Sequence, residues 1–199
     1  MIRAGPVAMP GQRVGLLGGS FDPPHAGHVH ISEWALRAAG LDWLWWLVSP
    51  GNPLKPREPV DLERRLAASR QIRTHPRIVV TDIERHLPTA FTANTLMHLA
   101  ERYPGVRFIW VMGADNLVTF HHWERWRWIF ETWPLLVLAR PGQQLSAGLS
   151  PAARSYAHLR RPASAASVLG RNGEPGWCLL TGPMSAHSST AIRGQGGWS

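Results

Sequence analysis

At 199 residues the chain is long enough for one domain with a sizeable core, and 44% hydrophobic with 17% charged residues marks a globular protein, not a disordered one. The single cysteine, Cys178, excludes an intrachain disulfide framework and a cysteine-rich zinc site, and no apolar run approaches the ~20 residues of a membrane span. The formal charge of +8 suits a nucleic acid, an anionic surface or a small anionic substrate. Lys55 is the single lysine among 21 basic residues, and eleven residues are tryptophan. The N-terminus has neither the apolar core nor the cleavage pattern of a signal peptide, so a cytoplasmic protein is expected.

Residues 1–12, with Gly5, Pro6, Pro10 and Gly11, read as a flexible N-terminal extension. Arg13 to Gly18 then reads as a short buried strand. From about His25 to Gly40 the apolar residues Val29, Ile31, Trp34, Ala35 and Ala38 recur with helical period, and Gly40 is a natural stop. Leu41 to Ser49 is an apolar run but for Asp42 and the closing Ser49, as for a strand buried on both faces. A helix over Asp61–His75, with Asp61 as N-cap, precedes a strand over Arg77–Thr81. Thr92–Tyr103 reads as helix, Val106–Met112 as strand, and Asp115–Phe120 and Trp123–Glu131 as two helical pieces. Pro134–Ala139 is a further strand. Residues 142–176 read as an irregular insertion with one helix near Pro151–Leu159, before a last strand over Trp177–Leu180. Strand and helix alternate, so the expected architecture is α/β: a single-domain, Rossmann-like open parallel sheet with helices on both faces, spanning 13–199. Ligands of such sheets bind outside the carboxyl ends of the strands, at the switch in strand order.

The strongest chemical signal lies at the end of the first strand, in Gly18-Gly19-Ser20-Phe21-Asp22-Pro23-Pro24-His25-Ala26-Gly27-His28. Glycine admits a phosphate close to the backbone, and a helix N-terminus offers unpaired N–H groups and the positive end of its dipole. His25 and His28 share one helix face and both can donate to phosphate oxygens. The segment matches neither the Walker loop nor the Gly-x-Gly-x-x-Gly fingerprint, and it lacks the His-Glu-x-x-His pattern of a zinc site. Elsewhere the residues allow two readings each. Lys55, in a proline-rich loop, is a phosphate ligand or a solvated lysine. Ser188, Ser189 and Thr190 followed by Arg193 form a second phosphate-binding helix N-terminus or an ordinary capped helix. Asp115, after Gly113, meets a ribose hydroxyl or caps a helix. Trp123 offers an aromatic face to a ring or packs in the core, as most of the other tryptophans do.

Gly19-Ser-Phe-Asp-Pro-Pro-His-x-Gly-His28 resembles the signature of the nucleotidyltransferases related to class I aminoacyl-tRNA synthetases, and more narrowly of the bacterial nicotinate mononucleotide adenylyltransferases. Four further blocks follow in the family's order: Ser49-Pro-Gly-Asn-Pro-Leu-Lys55; Asp82-Ile-Glu84 with Phe91-Thr-Ala-Asn-Thr-Leu96; Phe108-Ile-Trp-Val-Met-Gly-Ala-Asp115 with Trp123; and Ser188-Ser-Thr-Ala-Ile-Arg193. Together they cover residues 13 to 193. The resemblance implies transfer of AMP from ATP to nicotinate mononucleotide, giving nicotinate adenine dinucleotide and pyrophosphate, with Mg²⁺ entering as MgATP. It implies His25, His28, Lys55 and Arg193 as the catalytic set, and Gly18, Gly19, Ser20, Phe21, Gly113, Asp115, Ser188 and Ser189 as further contacts to ATP. Phe91, Thr92 and Trp123 would form the pocket for the nicotinate ring. Two positions depart from the common pattern: Phe91 stands where many members have tyrosine, and Leu54 where many have histidine. A sister enzyme acting on nicotinamide mononucleotide, a nucleic-acid-binding protein and a non-catalytic nucleotide sensor are the rival readings. No nucleic-acid or membrane partner is expected.

Overall fold

The computed structural model describes residues 5–51, 59–139 and 144–182. Within them seven strands, β1 (Arg13–Gly19), β2 (Trp43–Val48), β3 (Ile78–Thr81), β4 (Arg107–Gly113), β5 (Pro134–Leu138), β6 (Arg160–Arg161) and β7 (Gly176–Leu180), form one sheet in the order β3-β2-β1-β4-β5-β7-β6. Every neighbouring pair is parallel. The helices are α1 (Ala26–Ala38), α2 (Leu62–Ile72), α3 (Thr92–Arg102), α4 (Ala114–Thr119), α5 (Trp126–Thr132), α6 (Gln144–Gly148) and α7 (Pro151–Ser155).

The apolar strand runs are explained by burial on both faces. Successive side chains of a strand point to opposite sides, so each run feeds two cores. Trp45 and Leu47 of β2 join Trp110 and Met112 of β4 in one core, which α3, α4, α5, α6 and α7 cover. Leu44, Trp46 and Val48 join Ile109 and Val111 in the other, which α1 and α2 cover. The sheet is thus Rossmann-like with helices on both faces. Chain order reverses between β1 and β4, where Leu17 lies beside Val111, so the crevice expected of an open sheet lies beyond Gly19 and Gly113.

Two segments differ from their reading in the sequence. Residues 9–12 are tied to the start of β4: the Gly11 N–H donates to the Gly105 carbonyl at 2.7 Å and the Arg107 N–H to the Gln12 carbonyl at 2.8 Å. The stretch expected to be an irregular insertion carries α6, α7, two 3-10 turns and the edge strand β6, and Ala147, Ala152, Ala153 and Tyr156 are part of a core. These elements are too short, and too rich in Ala and Ser, to show a hydrophobic period.

Candidate active site

The turn after β1 and the first turn of α1 form one hydrogen-bonded unit. His25 is the N-cap of α1, with extended backbone, and its Nδ1 accepts the Gly27 N–H at 3.1 Å. His28 stands at the third helical position, and its Nδ1 accepts the His25 N–H at 3.2 Å. The pair is a capping box built from two histidines in place of Ser/Thr and Glu. An Nδ1 that accepts carries no proton, so in each neutral ring the proton is on Nε2. Each neutral imidazole therefore carries its donor on Nε2. The rings lie 3.9 Å apart between centroids.

The unit is anchored from beneath. Trp46 Nε1 of β2 donates to Ser32 Oγ at 2.7 Å, and Ser32 Oγ donates to the His28 carbonyl at 2.7 Å. Phe21, buried and with φ of 48°, stacks on Trp46 at 5.1 Å and lies 4.5 Å from the His28 ring. His25 is 5% exposed, and His28 is half-buried.

At the end of β4 Gly113 is the N-cap of α4, with φ of −72° and ψ of 155°, and Asp115 lies inside the first turn. The helix-cap reading of Asp115 is thereby corrected. An acidic side chain here sits at the positive end of the helix dipole. Trp123 closes the 3-10 turn Phe120–His122, with its N–H on the Phe120 carbonyl at 2.9 Å. Its half-buried ring packs 4.7 Å from Phe120 and meets Trp110 edge-on at 6.2 Å. A Cβ on Gly18 would come within 2.5 Å of the Trp110 ring, so glycine there is required by close packing. Trp110 thus connects the end of β1 to Trp123. Phe91 is the N-cap of α3 and 40% exposed, an unusual setting for so large an apolar ring, and Thr92 follows it as the first helical residue. Thr89 Oγ1 shapes this corner by accepting the Phe91 N–H at 3.0 Å and Asn94 Nδ2 at 3.2 Å.

The structure thus groups Gly18, Gly19, Ser20, Phe21, His25 and His28 on one side of the switch point and Gly113 and Asp115 on the other. Phe91, Thr92 and Trp123 lie on the α3 face of the sheet. Lys55, Ser188, Ser189, Thr190 and Arg193 lie outside the described residues. Among the described residues no group of three or more His, Cys, Asp and Glu side chains could hold a metal ion.

Two residues near the site carry weight that their sequence context does not signal. Arg65 of α2 is 1% exposed and donates to four backbone carbonyls: Nε to Val60 at 2.6 Å, Nη1 to Ser20 and Ser49 at 2.7 Å each, and Nη2 to Pro50 at 3.2 Å. Burial lowers its pKa, against the opposing charges of Asp22 and Asp61. Glu84, in the 3-10 turn after β3, is partly exposed as a residue, yet its carboxyl is desolvated beside Thr95, whose Oγ1 donates to it at 3.1 Å.

Burial raises the Glu84 pKa to about 7, and the Thr95 hydrogen bond only partly opposes the shift. The folded chain therefore holds a proton that the unfolded chain has already released. Stability falls as pH rises from the ordinary carboxylate range through about 7, and the loss is complete above it. Discounted for partial exposure, the cost at pH 8 is about 2–3 kcal/mol. Glu84→Gln is expected to flatten this dependence. Urea unfolding of both proteins at pH 5 and pH 8 checks it: the variant should gain about 2 kcal/mol on the parent between the two, and parallel curves would contradict it.

Residues 16–195 match the model of the cytidylyltransferase-like family. A protein of Cereibacter sphaeroides named "Probable nicotinate-nucleotide adenylyltransferase" is 60% identical over 185 residues, which are 93% of this chain and 98% of that protein. A protein of the same name from Ruegeria pomeroyi is 57% identical over 194 residues, covering 98% of this chain and 91% of its own. The structure of Plasmodium falciparum nicotinic acid mononucleotide adenylyltransferase complexed with NaAD matches with a TM-score of 0.71 and 15% identity, over 92% of this chain and 83% of that one, a likeness of fold. The paired-histidine capping box at the switch point of a parallel sheet, in a sequence this close to these relatives over nearly its whole length, places the chain in the cytidylyltransferase-like family, among the nicotinate-nucleotide adenylyltransferases.

Proposed function

We propose that the chain catalyses transfer of the adenylyl group of ATP to nicotinate mononucleotide, releasing pyrophosphate and forming nicotinate adenine dinucleotide. The observation that carries this reading is the capping box of His25 and His28 at the N-terminus of α1, beside the β1–β4 switch point. The acceptor phosphate is already ionised near neutral pH, so no strong base or covalent nucleophile is needed. Catalysis rests on holding two polyanions in line and stabilising charge on the α-phosphoryl group and the departing pyrophosphate.

In this reading Gly18, Gly19, Ser20 and Phe21 form the turn on which the phosphates of ATP lie. His25 and His28 donate Nε2–H to phosphate oxygens, with His28 acting on the transferring group. Gly113 and Asp115 meet the adenosine ribose. Exposed Phe91, the N-terminus of α3 at Thr92, and Trp123 receive the nicotinate ring. Lys55, Ser188, Ser189 and Arg193 complete the triphosphate site on the strength of the sequence pattern. A divalent metal, with Mg²⁺ as the proposed ion, would come with ATP, held by phosphates and water, and would neutralise charge on the phosphates. Residues 13–199 act as one nucleotidyltransferase domain, with residues 1–12 as an extension. Among the described residues no helix is long and apolar enough to cross a membrane. The proposed place of action is the cytoplasm, with small phosphorylated molecules, not nucleic acids, as partners.

The reading is tested by incubating the full chain with MgATP and nicotinate mononucleotide and identifying products by mass. Nicotinate adenine dinucleotide and pyrophosphate in equal amounts are expected. Faster turnover of nicotinamide mononucleotide would move the assignment to the sister reaction.

A further inference from the structure

The buried guanidinium of Arg65 joins three parts of the chain that converge on the switch point: the turn after β1 at Ser20, the end of β2 at Ser49 and Pro50, and the entry to α2 at Val60. A direct bond reinforces the first junction, the Ser49 N–H donating to the Gly19 carbonyl at 3.0 Å. The consequence for the turn follows from peptide geometry. A trans peptide directs its C=O and N–H to opposite sides, so holding the Ser20 carbonyl on Arg65 aims the Phe21 N–H away from it. Phe21 then takes the left-handed backbone, φ of 48°, which a bulky residue adopts only when its surroundings enforce it. That conformation lays the Phe21 ring against both Trp46 and His28, whose own centroids are 6.1 Å apart.

We propose that Arg65 is a positioning residue for adenylyl transfer, fixing through backbone carbonyls the Ser20–Phe21 turn that sets the His28 ring. It does not touch the reacting atoms. Its effect passes through the turn, so it falls on the ATP side of the site and on kcat, while the nicotinate pocket on the α3 face is spared. Lysine cannot replace it: a single ammonium has no planar fork to reach carbonyls on three segments at once. The proposal rests on the reaction assigned above, and its test separates the two.

The experiment compares the parent with Arg65→Lys in the full chain, measuring near-UV circular dichroism, MgATP affinity by titration, and steady-state kinetics with nicotinate mononucleotide. The folded variant is expected to lose about 10–100-fold in kcat, bind MgATP several-fold more weakly, and keep KM for nicotinate mononucleotide within about twofold. Methylguanidinium added to Arg65→Ala should restore part of kcat. A folded Arg65→Lys with unchanged kcat and MgATP affinity would overturn the proposal. So would a loss confined to KM for the acceptor, or a lysine variant that does not fold, since Arg65 would then serve another pocket or the fold alone. A parent that binds MgATP without turnover would count against the reaction, and the MgATP affinity of the variant would still decide the role of Arg65.

Discussion

His28→Ala is expected to lower kcat by about 10²–10³-fold, the usual cost of removing one donor aimed at developing charge in a desolvated site. The same substitution removes a structural bond, because His28 Nδ1 accepts the His25 N–H that opens α1. The alanine variant should therefore also lose roughly 0.5–2 kcal/mol of stability, the range for a lost helix cap. His28→Gln separates the two roles. Glutamine at the third helical position reaches back to the N-cap amide as in an ordinary capping box, but has no imidazole. Its melting temperature should stay near that of the parent while kcat falls as in the alanine variant. Thermal melts and saturating-substrate kinetics on the three proteins check this. Near-parental kcat in either variant would remove His28 from the chemistry.

Trp110→Ala is expected to cost roughly 3–5 kcal/mol of unfolding free energy, as for a large aromatic removed from a close-packed interior. That is a large share of the ~5–15 kcal/mol of a typical domain. Trp110 is 2% exposed, packs on Gly18 where a Cβ would clash, and meets Trp123 edge-on. Its loss should reach the proposed nicotinate pocket through Trp123, raising KM for the acceptor more than KM for ATP. Trp110→Phe should be far milder. Its smaller ring leaves a void, but the Trp110 Nε1 proton has no hydrogen-bond partner among the described residues, and removing an unpaired buried donor offsets part of the cost. Denaturant midpoints and the two KM values check both variants. An alanine variant as stable as the phenylalanine one would show that the contact with Gly18 is loose.

Much of this was legible in the sequence for physical reasons. Parallel strands buried on both faces are apolar over most of their length, so Leu41–Ser49 and Val106–Met112 declared themselves despite Asp42 and Arg107; the structure places β2 inside the first run and carries β4 one residue past the second, to Gly113. The Gly-Gly turn and paired histidines were legible because glycine, proline and histidine are chosen there for backbone shape and donor chemistry. Asp61 does cap α2, its carboxylate accepting the Arg64 N–H at 3.1 Å. Strand order was not legible, because a parallel sheet leaves the direction of each crossover open to packing. Arg65 was hidden for a different reason. In a chain whose basic residues are arginine almost throughout, an arginine that binds backbone carbonyls looks like its solvated neighbours, and carbonyl acceptors leave no mark on residue identity. Strand β6 was hidden because Arg160 and Arg161 are exposed at the sheet edge, where charge guards against further pairing.

The central claim is that the turn after β1 and the histidines of α1 serve adenylyl transfer, with ATP cleaved between its α- and β-phosphates. The direct measurement uses ATP labelled at the α-phosphate, with Mg²⁺ and nicotinate mononucleotide, and follows the label. The account predicts that all transferred label appears in the dinucleotide, that unlabelled pyrophosphate is released in equal amount, and that both rates fall together by about 10²–10³-fold in His28→Gln. Label in the released phosphate fragment, or a dinucleotide formed at the parental rate by His28→Gln, would contradict it.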